Sequence, residues 1–70
     1  MSDFWIRTSE TKPTKPGKYF TILEIKDPTL EIFKKYPMVL WWDGNNFLQN
    51  MYGKQSLTRH VIFWAYIPNY

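Results

Sequence analysis

The side chains that could perform acid–base chemistry are few and lie apart in the sequence. His60 is the single histidine, it follows Arg59, and the chain has no cysteine. Asp43 could pair with His60 across strands, but a turn role before Gly44 explains Asp43 fully. An enzyme needs convergent titratable groups, a phosphate loop or a nucleophile motif. We therefore predict no catalytic residue, no metal ligands, no cofactor and no enzymatic activity.

The aromatic residues are the more informative set, with five Phe, five Tyr and four Trp among 70 residues. Adjacent Trp41 and Trp42 must point to opposite faces of a strand, so that one enters the core and the other is partly exposed. Exposed rings serve as interface anchors or as stacking platforms for bases. We predict a binding or self-association surface, with these candidate residues: Trp41, Trp42, Tyr52, Arg59, His60 and Tyr66.

The strand that should organise this surface is the segment 59–67. Its two alternating sets are both apolar, and β-branched and aromatic residues dominate, which suits a strand better than a helix. A strand of this kind usually has a layer packed on each face. Pro68 cannot donate to a ladder and should end it. We expect a central strand of the sheet.

Three further segments read as strands, at residues 18–26, 38–42 and 47–52. The segment 43–46 predicts a tight hairpin turn, and the proline-containing segment 8–18 predicts a surface loop. Residues 28–36 allow two interpretations. Asp27 and Pro28 could cap a short helix, which we favour slightly, or the segment could be the return strand of a hairpin. The fold class predicted is mainly β, a small antiparallel sheet or barrel of about five strands, with one short helix near 28–36 under the first interpretation.

The length and composition indicate one domain covering residues 1–70. Without cysteine the fold has no disulfide, and the start of the chain does not resemble a signal peptide. No apolar run approaches the roughly 20 residues of a membrane span. We expect a soluble, cytoplasmic protein with no membrane partner. The net charge of +3 is a mild excess and only weakly indicates nucleic acid.

Three segments together resemble short phage and prophage proteins catalogued as a domain of unknown function. They are Trp5-Ile6 followed by Pro16-Gly17-Lys18-Tyr19, then Trp42-Asp43-Gly44 with Phe47, and finally the segment 61–68. Phe63 stands where that family often has His, and Tyr66 where it often has Pro. The resemblance implies a small β-rich accessory protein that acts in the cytoplasm of a host cell. It implies no catalytic residues.

Three functions fit these observations. The first is a non-enzymatic binding module that acts by protein–protein interaction on a host factor, with host-defence modulation as one outcome, or that self-associates as a homodimer. The second is a protein that sequesters a small nucleotide-like ligand in an aromatic pocket. The third is single-stranded nucleic-acid binding, in which cations surround the rings. The cations available for that are Lys12, Lys15, Lys18, Lys34, Lys35, Lys54 and Arg59.

Overall fold

The computed structural model describes residues 4–68, which contain five antiparallel strands in one open sheet. The order across the sheet is β1-β5-β2-β3-β4. The predicted fold class, a small antiparallel sheet of about five strands, is confirmed in its open form. The strands are β1 (Ile6–Arg7), β2 (Gly17–Asp27), β3 (Ile32–Trp42), β4 (Phe47–Leu48) and β5 (Val61–Tyr66).

The β2–β3 hairpin is the largest element of the sheet. Its two strands have 11 residues each and pair continuously, from Gly17 opposite Trp42 to Asp27 opposite Ile32. β2 pairs with β5 only as far as Leu23, and β3 pairs with β4 only at its last two residues. The distal part of the hairpin, residues 24–35, therefore extends beyond the sheet as a two-stranded arm.

The helix that we favoured near 28–36 is wrong, and the alternative of a return strand is what the structure contains. The Asp27 carboxylate accepts hydrogen bonds from the backbone N–H groups of Thr29 and Leu30, at 2.8 and 3.2 Å. This arrangement resembles a helix cap, but Glu31 then adopts a left-handed conformation with φ of 54°. The chain reverses there, and β3 begins at Ile32.

β5 lies between β1 and β2, which confirms the central position predicted for the closing segment. It starts later than predicted, because residues 58–60 form a 3₁₀ helix (Thr58–His60). A β-bulge interrupts the pairing with β2, since Phe63 lies opposite Ile22 while Val61 lies opposite Leu23. Ile62 is the extra residue. The bulge places Val61 and Trp64 on the same face, which simple alternation from 61 to 67 does not predict.

The core lies on one face of the sheet, which we call the core face, and loops cover it. Its buried residues are Tyr19, Leu23, Leu40, Trp42, Phe47, Val61 and Trp64. The proline loop, residues 8–16, is fixed over this face by two hydrogen bonds. Trp64 Nε1 donates to the carbonyl oxygen of Thr11 at 2.7 Å, and the Tyr19 hydroxyl donates to that of Lys15 at 2.6 Å. The predicted surface loop therefore also covers part of the core face.

The turn predicted at 43–46 is present. The Asp43 carboxylate accepts the N–H groups of Asn45 and Asn46, both at 2.7 Å, and Gly44 has φ of 106°. The strand predicted at 47–52 is limited to Phe47–Leu48. The chain leaves the sheet after Leu48, because Asn50 forms a second turn with Tyr52 and Gly53.

Candidate binding surface

The face of the sheet opposite the core face, which we call the outer face, is apolar but incompletely covered. Alternation along the paired strands assigns to it Lys18, Phe20, Ile22, Val39, Trp41, Phe63 and Ala65. The rings of Phe20, Trp41 and Phe63 are only half-buried, whereas the core face holds the fully buried rings. The two faces therefore differ in cover, although both are apolar.

A groove on the outer face brings together two of the predicted site residues, Trp41 and Tyr52. We call it the Trp41 groove. It has a volume of about 370 Å³ and is lined by Lys18, Val39, Leu40, Trp41, Gln49, Asn50, Met51 and Tyr52. One wall is the end of the hairpin, where Trp41 lies opposite Lys18 on β2 and opposite Leu48 on β4. The other wall is the segment that turns away after Leu48.

Several apolar side chains of the groove are largely exposed to solvent. Tyr52 is 84% exposed, Met51 56% and Val39 47%. The loop that carries Met51 and Tyr52 is held by Asn50, whose side-chain oxygen accepts the Tyr52 N–H at 2.9 Å and whose carbonyl accepts the Gly53 N–H at 2.9 Å. Local hydrogen bonds therefore present these two side chains, while the sheet presents Trp41.

Trp42 and Tyr66 lie on the core face, away from the groove. Trp42 is 3% exposed and packs on Phe47, with ring centroids 4.8 Å apart. The predicted division of Trp41 and Trp42 between two faces is thus confirmed. Tyr66 is 58% exposed, and its ring contacts those of Tyr19 and Trp64. Burial, and secondarily the neighbouring Tyr66, raises the pKa of the Tyr19 phenol.

Arg59 and His60 lie on the 3₁₀ helix before β5, and neither lines the Trp41 groove. Arg59 Nε donates to His60 Nε2 at 3.3 Å, and His60 is half-buried. In the described part of the chain no hydrogen bond or ion pair joins His60 to Asp43, whose carboxylate is occupied by its own turn. The six predicted candidates therefore separate into three places.

The predicted cations are also dispersed. Lys18 lines the Trp41 groove, whereas Lys12 and Arg59 line a second cavity beside β1. Lys34 is paired with Asp27 at 3.2 Å on the hairpin arm. Only one of the seven cations thus accompanies the exposed rings of the groove.

Sequence reasoning missed five residues that line the groove: Val39, Leu40, Gln49, Asn50 and Met51. Val39 belongs to the segment 38–42, which we predicted to be a strand without assigning its side chains to a binding surface. The Asn50-x-x-Gly53 spacing is the signal that could have revealed the turn, since Asn side chains readily bond to the backbone two residues on.

Residues 4–68 contain no group of three or more His, Cys, Asp or Glu side chains placed to hold a metal ion. The same residues form no helix with the length and apolarity of a membrane span.

The chain was compared with protein-family models, with curated proteins and with solved structures, and none of the three comparisons returned a match.

Proposed function

We propose that the protein is a non-enzymatic binding module that contacts a protein partner through the Trp41 groove. The observation that carries this proposal is the exposure of Val39, Met51 and Tyr52 around the half-buried Trp41. Contiguous clusters of exposed apolar side chains are uncommon on monomeric proteins, and they commonly mark interaction sites. Aromatic residues and Met are also the types enriched in interface cores.

The groove has the form of an anchoring site rather than of a flat contact. Strand pairing on both sides fixes the backbone of Trp41, so little backbone freedom is lost when a partner covers this residue. The amides of Gln49 and Asn50 and the ammonium group of Lys18 form a polar margin around the rings. Interfaces commonly combine a fixed aromatic centre with such a polar rim.

The resemblance to phage and prophage proteins supports a cytoplasmic host protein as the partner class, and modulation of host defence as one consequence of binding. Self-association is the alternative partner of the same chemistry, because an apolar groove can also receive a second copy. The two differ in concentration dependence, which sedimentation of the purified protein measures.

The test is affinity capture from bacterial lysate by the immobilised protein and two variants. Trp41→Gln removes the centre of the groove, and Tyr36→Ser is the matched control, since Tyr36 is an aromatic residue 43% exposed outside the groove. We expect one protein to be captured by the wild type and by Tyr36→Ser but not by Trp41→Gln. With purified components, Trp41→Gln should weaken binding by roughly 30-fold or more, the effect of a hot-spot residue.

Two results would contradict the proposal. One is equal capture of every lysate protein by Trp41→Gln and wild type. The other is a monomeric protein whose tryptophan fluorescence is not quenched by acrylamide, because Trp41 would then be inaccessible to any partner.

A second candidate function uses the same groove for a small nucleotide-like ligand. Its volume of about 370 Å³ falls within the usual size of ligand sites, roughly 300–1,000 Å³. Trp41 and Tyr52 offer two rings for base stacking. A rise in melting temperature with nucleosides, lost in Tyr52→Ser, would favour this function over a protein partner.

A further inference from the structure

A second cavity lies near the opposite edge of the sheet from the Trp41 groove. It is bounded by β1, the start of the proline loop and the 3₁₀ helix. We call it the β1 cavity. Its volume is about 550 Å³, and it is lined by Arg7, Thr8, Ser9, Lys12, Thr58, Arg59, Val61, Ile62 and Phe63. No residue is shared with the Trp41 groove, and none of the lining residues is acidic.

Three cationic residues line this cavity, and none of them forms an ion pair with any carboxylate that the structure describes. Among residues 4–68 the one ion pair joins Lys34 to Asp27, so Arg7, Lys12 and Arg59 are unpaired. Like charges gathered at one site repel each other, although solvent and salt reduce the repulsion. A bound anion would turn the same arrangement into an attractive one.

The two arginines are positioned by contacts with their neighbours. The Arg7 guanidinium lies 5.7 Å from the centre of the Phe63 ring, a cation–π distance. Arg59 Nε donates to His60 Nε2, and this bond leaves the terminal nitrogens of its guanidinium available. Arginine presents these donors in a planar fork that matches the oxygens of a phosphate group.

The backbone around the cavity is also fixed. The N–H groups of Glu10 and Thr11 both donate to the Arg7 carbonyl, so the chain turns directly after β1 and carries Lys12 to the cavity. On the opposite wall, the Thr58 hydroxyl accepts the Phe47 N–H at 2.8 Å and donates to Asn46 Oδ1 at 3.2 Å. These bonds anchor the 3₁₀ helix that carries Arg59.

Thr8 supplies an independent observation. It is 5% exposed, it lines the cavity, and its hydroxyl has no hydrogen-bond partner in the protein. Its backbone is satisfied, because the Thr8 N–H donates to the carbonyl of Ile62, the bulge residue. Buried hydroxyls are almost always hydrogen-bonded, so an orphaned one needs an explanation. The oxygen is itself buried, so rotation of the Thr8 side chain is needed to bring it to the cavity, where an oxygen atom of a ligand would provide the missing acceptor.

We propose that the β1 cavity binds a small phosphate-bearing ligand. Arg7, Lys12 and Arg59 neutralise the phosphate group, and the hydroxyls of Thr8 and Ser9 donate to its oxygens. The cavity is larger than one phosphate group, and its remaining wall is apolar, formed by Ile62 and Phe63. This wall suits the organic part of a phosphate ester. The ligand is therefore free phosphate or a phosphomonoester, two sources of the same chemistry.

Calorimetric titration of the full chain tests the proposal with four probes: inorganic phosphate, ribose 5-phosphate, adenosine 5′-monophosphate and adenosine. We expect saturable binding of the first three at the β1 cavity, with millimolar or tighter dissociation constants, and no binding of adenosine at this cavity. Equal affinity for phosphate and its esters assigns the site to free phosphate, and tighter binding of an ester assigns it to that ester. Both outcomes support a phosphate site.

Three variants locate the binding. Arg59→Gln should weaken phosphate binding by about tenfold or more, because it removes a charged two-donor contact. Lys54→Gln is the matched control, since it removes the same charge from an exposed residue outside the cavity, and it should change the affinity by less than about twofold. Thr8→Val should weaken binding without lowering the melting temperature of the free protein, because the hydroxyl it removes has no partner there.

The proposal is overturned if none of the three phosphate compounds binds at about 10 mM, or if Lys54→Gln weakens binding as much as Arg59→Gln. Amide resonances locate the site in the same titration. Shifts centred on Thr8, Ser9 and Arg59 support the β1 cavity, and shifts centred on Met51 and Tyr52 contradict it. Because the two sites share no residue, failure here leaves the function proposed for the Trp41 groove untouched.

Discussion

At the scale of single residues, the two buried tryptophans of the core differ in one hydrogen bond. Trp64 is 1% exposed, and its indole N–H donates to the Thr11 carbonyl across 53 positions of sequence. Trp42 is 3% exposed, and its indole N–H has no partner. A satisfied buried donor stabilises the fold, whereas an unsatisfied one costs free energy. The two rings lie in the same core, but only the indole N–H of Trp64 contributes a hydrogen bond to the stability of the fold.

We predict that Trp64→Phe destabilises the protein more than Trp42→Phe, by about 1–2 kcal/mol. Both substitutions remove a similar volume from the core, so the cavity costs largely cancel. Trp64→Phe also leaves the Thr11 carbonyl without its donor and removes one of the two hydrogen bonds that fix the proline loop over the core. Urea unfolding of the two variants, followed by circular dichroism, measures the difference. Equal free energies of unfolding would show that the Trp64–Thr11 bond makes no net contribution.

At the scale of elements, the β2–β3 hairpin leaves much of β3 as an open edge. β3 has β2 on one side along its whole length, but β4 on the other side only at Trp41 and Trp42. Open edges invite pairing with another chain, and proteins protect them with charged residues and proline. Residues 34–37, Lys-Lys-Tyr-Pro, place both kinds of protection in the middle of this edge.

We predict that Pro37→Thr increases self-association of the protein. Proline has no N–H to donate to an added strand, and threonine restores that donor together with a high strand propensity. Sedimentation velocity over a range of concentrations should then show a dimer or larger species that the wild type lacks at the same concentration. Pro28→Thr, in the turn of the same hairpin, is the matched control and should sediment like the wild type.

The elements differ in how far the sequence predicts them. Apolar alternation and β-branched residues predict β2 and β5, and the Asp43-Gly44 pair predicts the turn before β4. The sequence does not predict the first half of β3, because Lys34, Lys35 and Pro37 are not typical strand residues. It forms a strand because β2 offers a complete partner for it, and tertiary context commonly overrides local preference.

The candidate surfaces are harder to predict than the strands. Trp41 and Tyr52 can be proposed from their types, but their proximity depends on the turn at Asn50 that ends β4. The β1 cavity depends on the bulge at Ile62 and on pairing between β1 and β5, which joins distant residues such as Ile6 and Trp64. A local pattern contains neither piece of information.

At the scale of the whole molecule, two turn carboxylates couple stability to pH. Hydrogen bonds from the Leu30 and Thr29 N–H groups, and then Lys34, lower the pKa of Asp27. Hydrogen bonds from the Asn46 and Asn45 N–H groups likewise lower the pKa of Asp43. The unfolded chain therefore binds these two protons more tightly than the folded protein does, and protonation favours unfolding.

We predict that both carboxylates contribute stability above the ordinary Asp pKa of about 3.9 and lose it as the pH falls through their lowered folded values. Thermal unfolding between roughly pH 6 and 2 should show this decline. The double variant Asp27→Asn, Asp43→Asn retains side-chain acceptors for both turns, so its stability should decline less steeply. A decline of the same steepness would attribute the effect to the other acids and to the growing net positive charge.

The central position of β5 also affects the order in which the fold can form, because β5 follows the other four strands in the sequence. The β2–β3 hairpin joins neighbouring segments and can form while the chain is still being synthesised. Trp64 is synthesised after the whole hairpin, and until it joins the sheet the core lacks one of its largest buried side chains. Loops that must close over long sequence separations slow folding. Until β5 pairs with β2, the nascent hairpin exposes its apolar side to solvent. A chaperone that recognises exposed apolar surface would bind the protein during this interval.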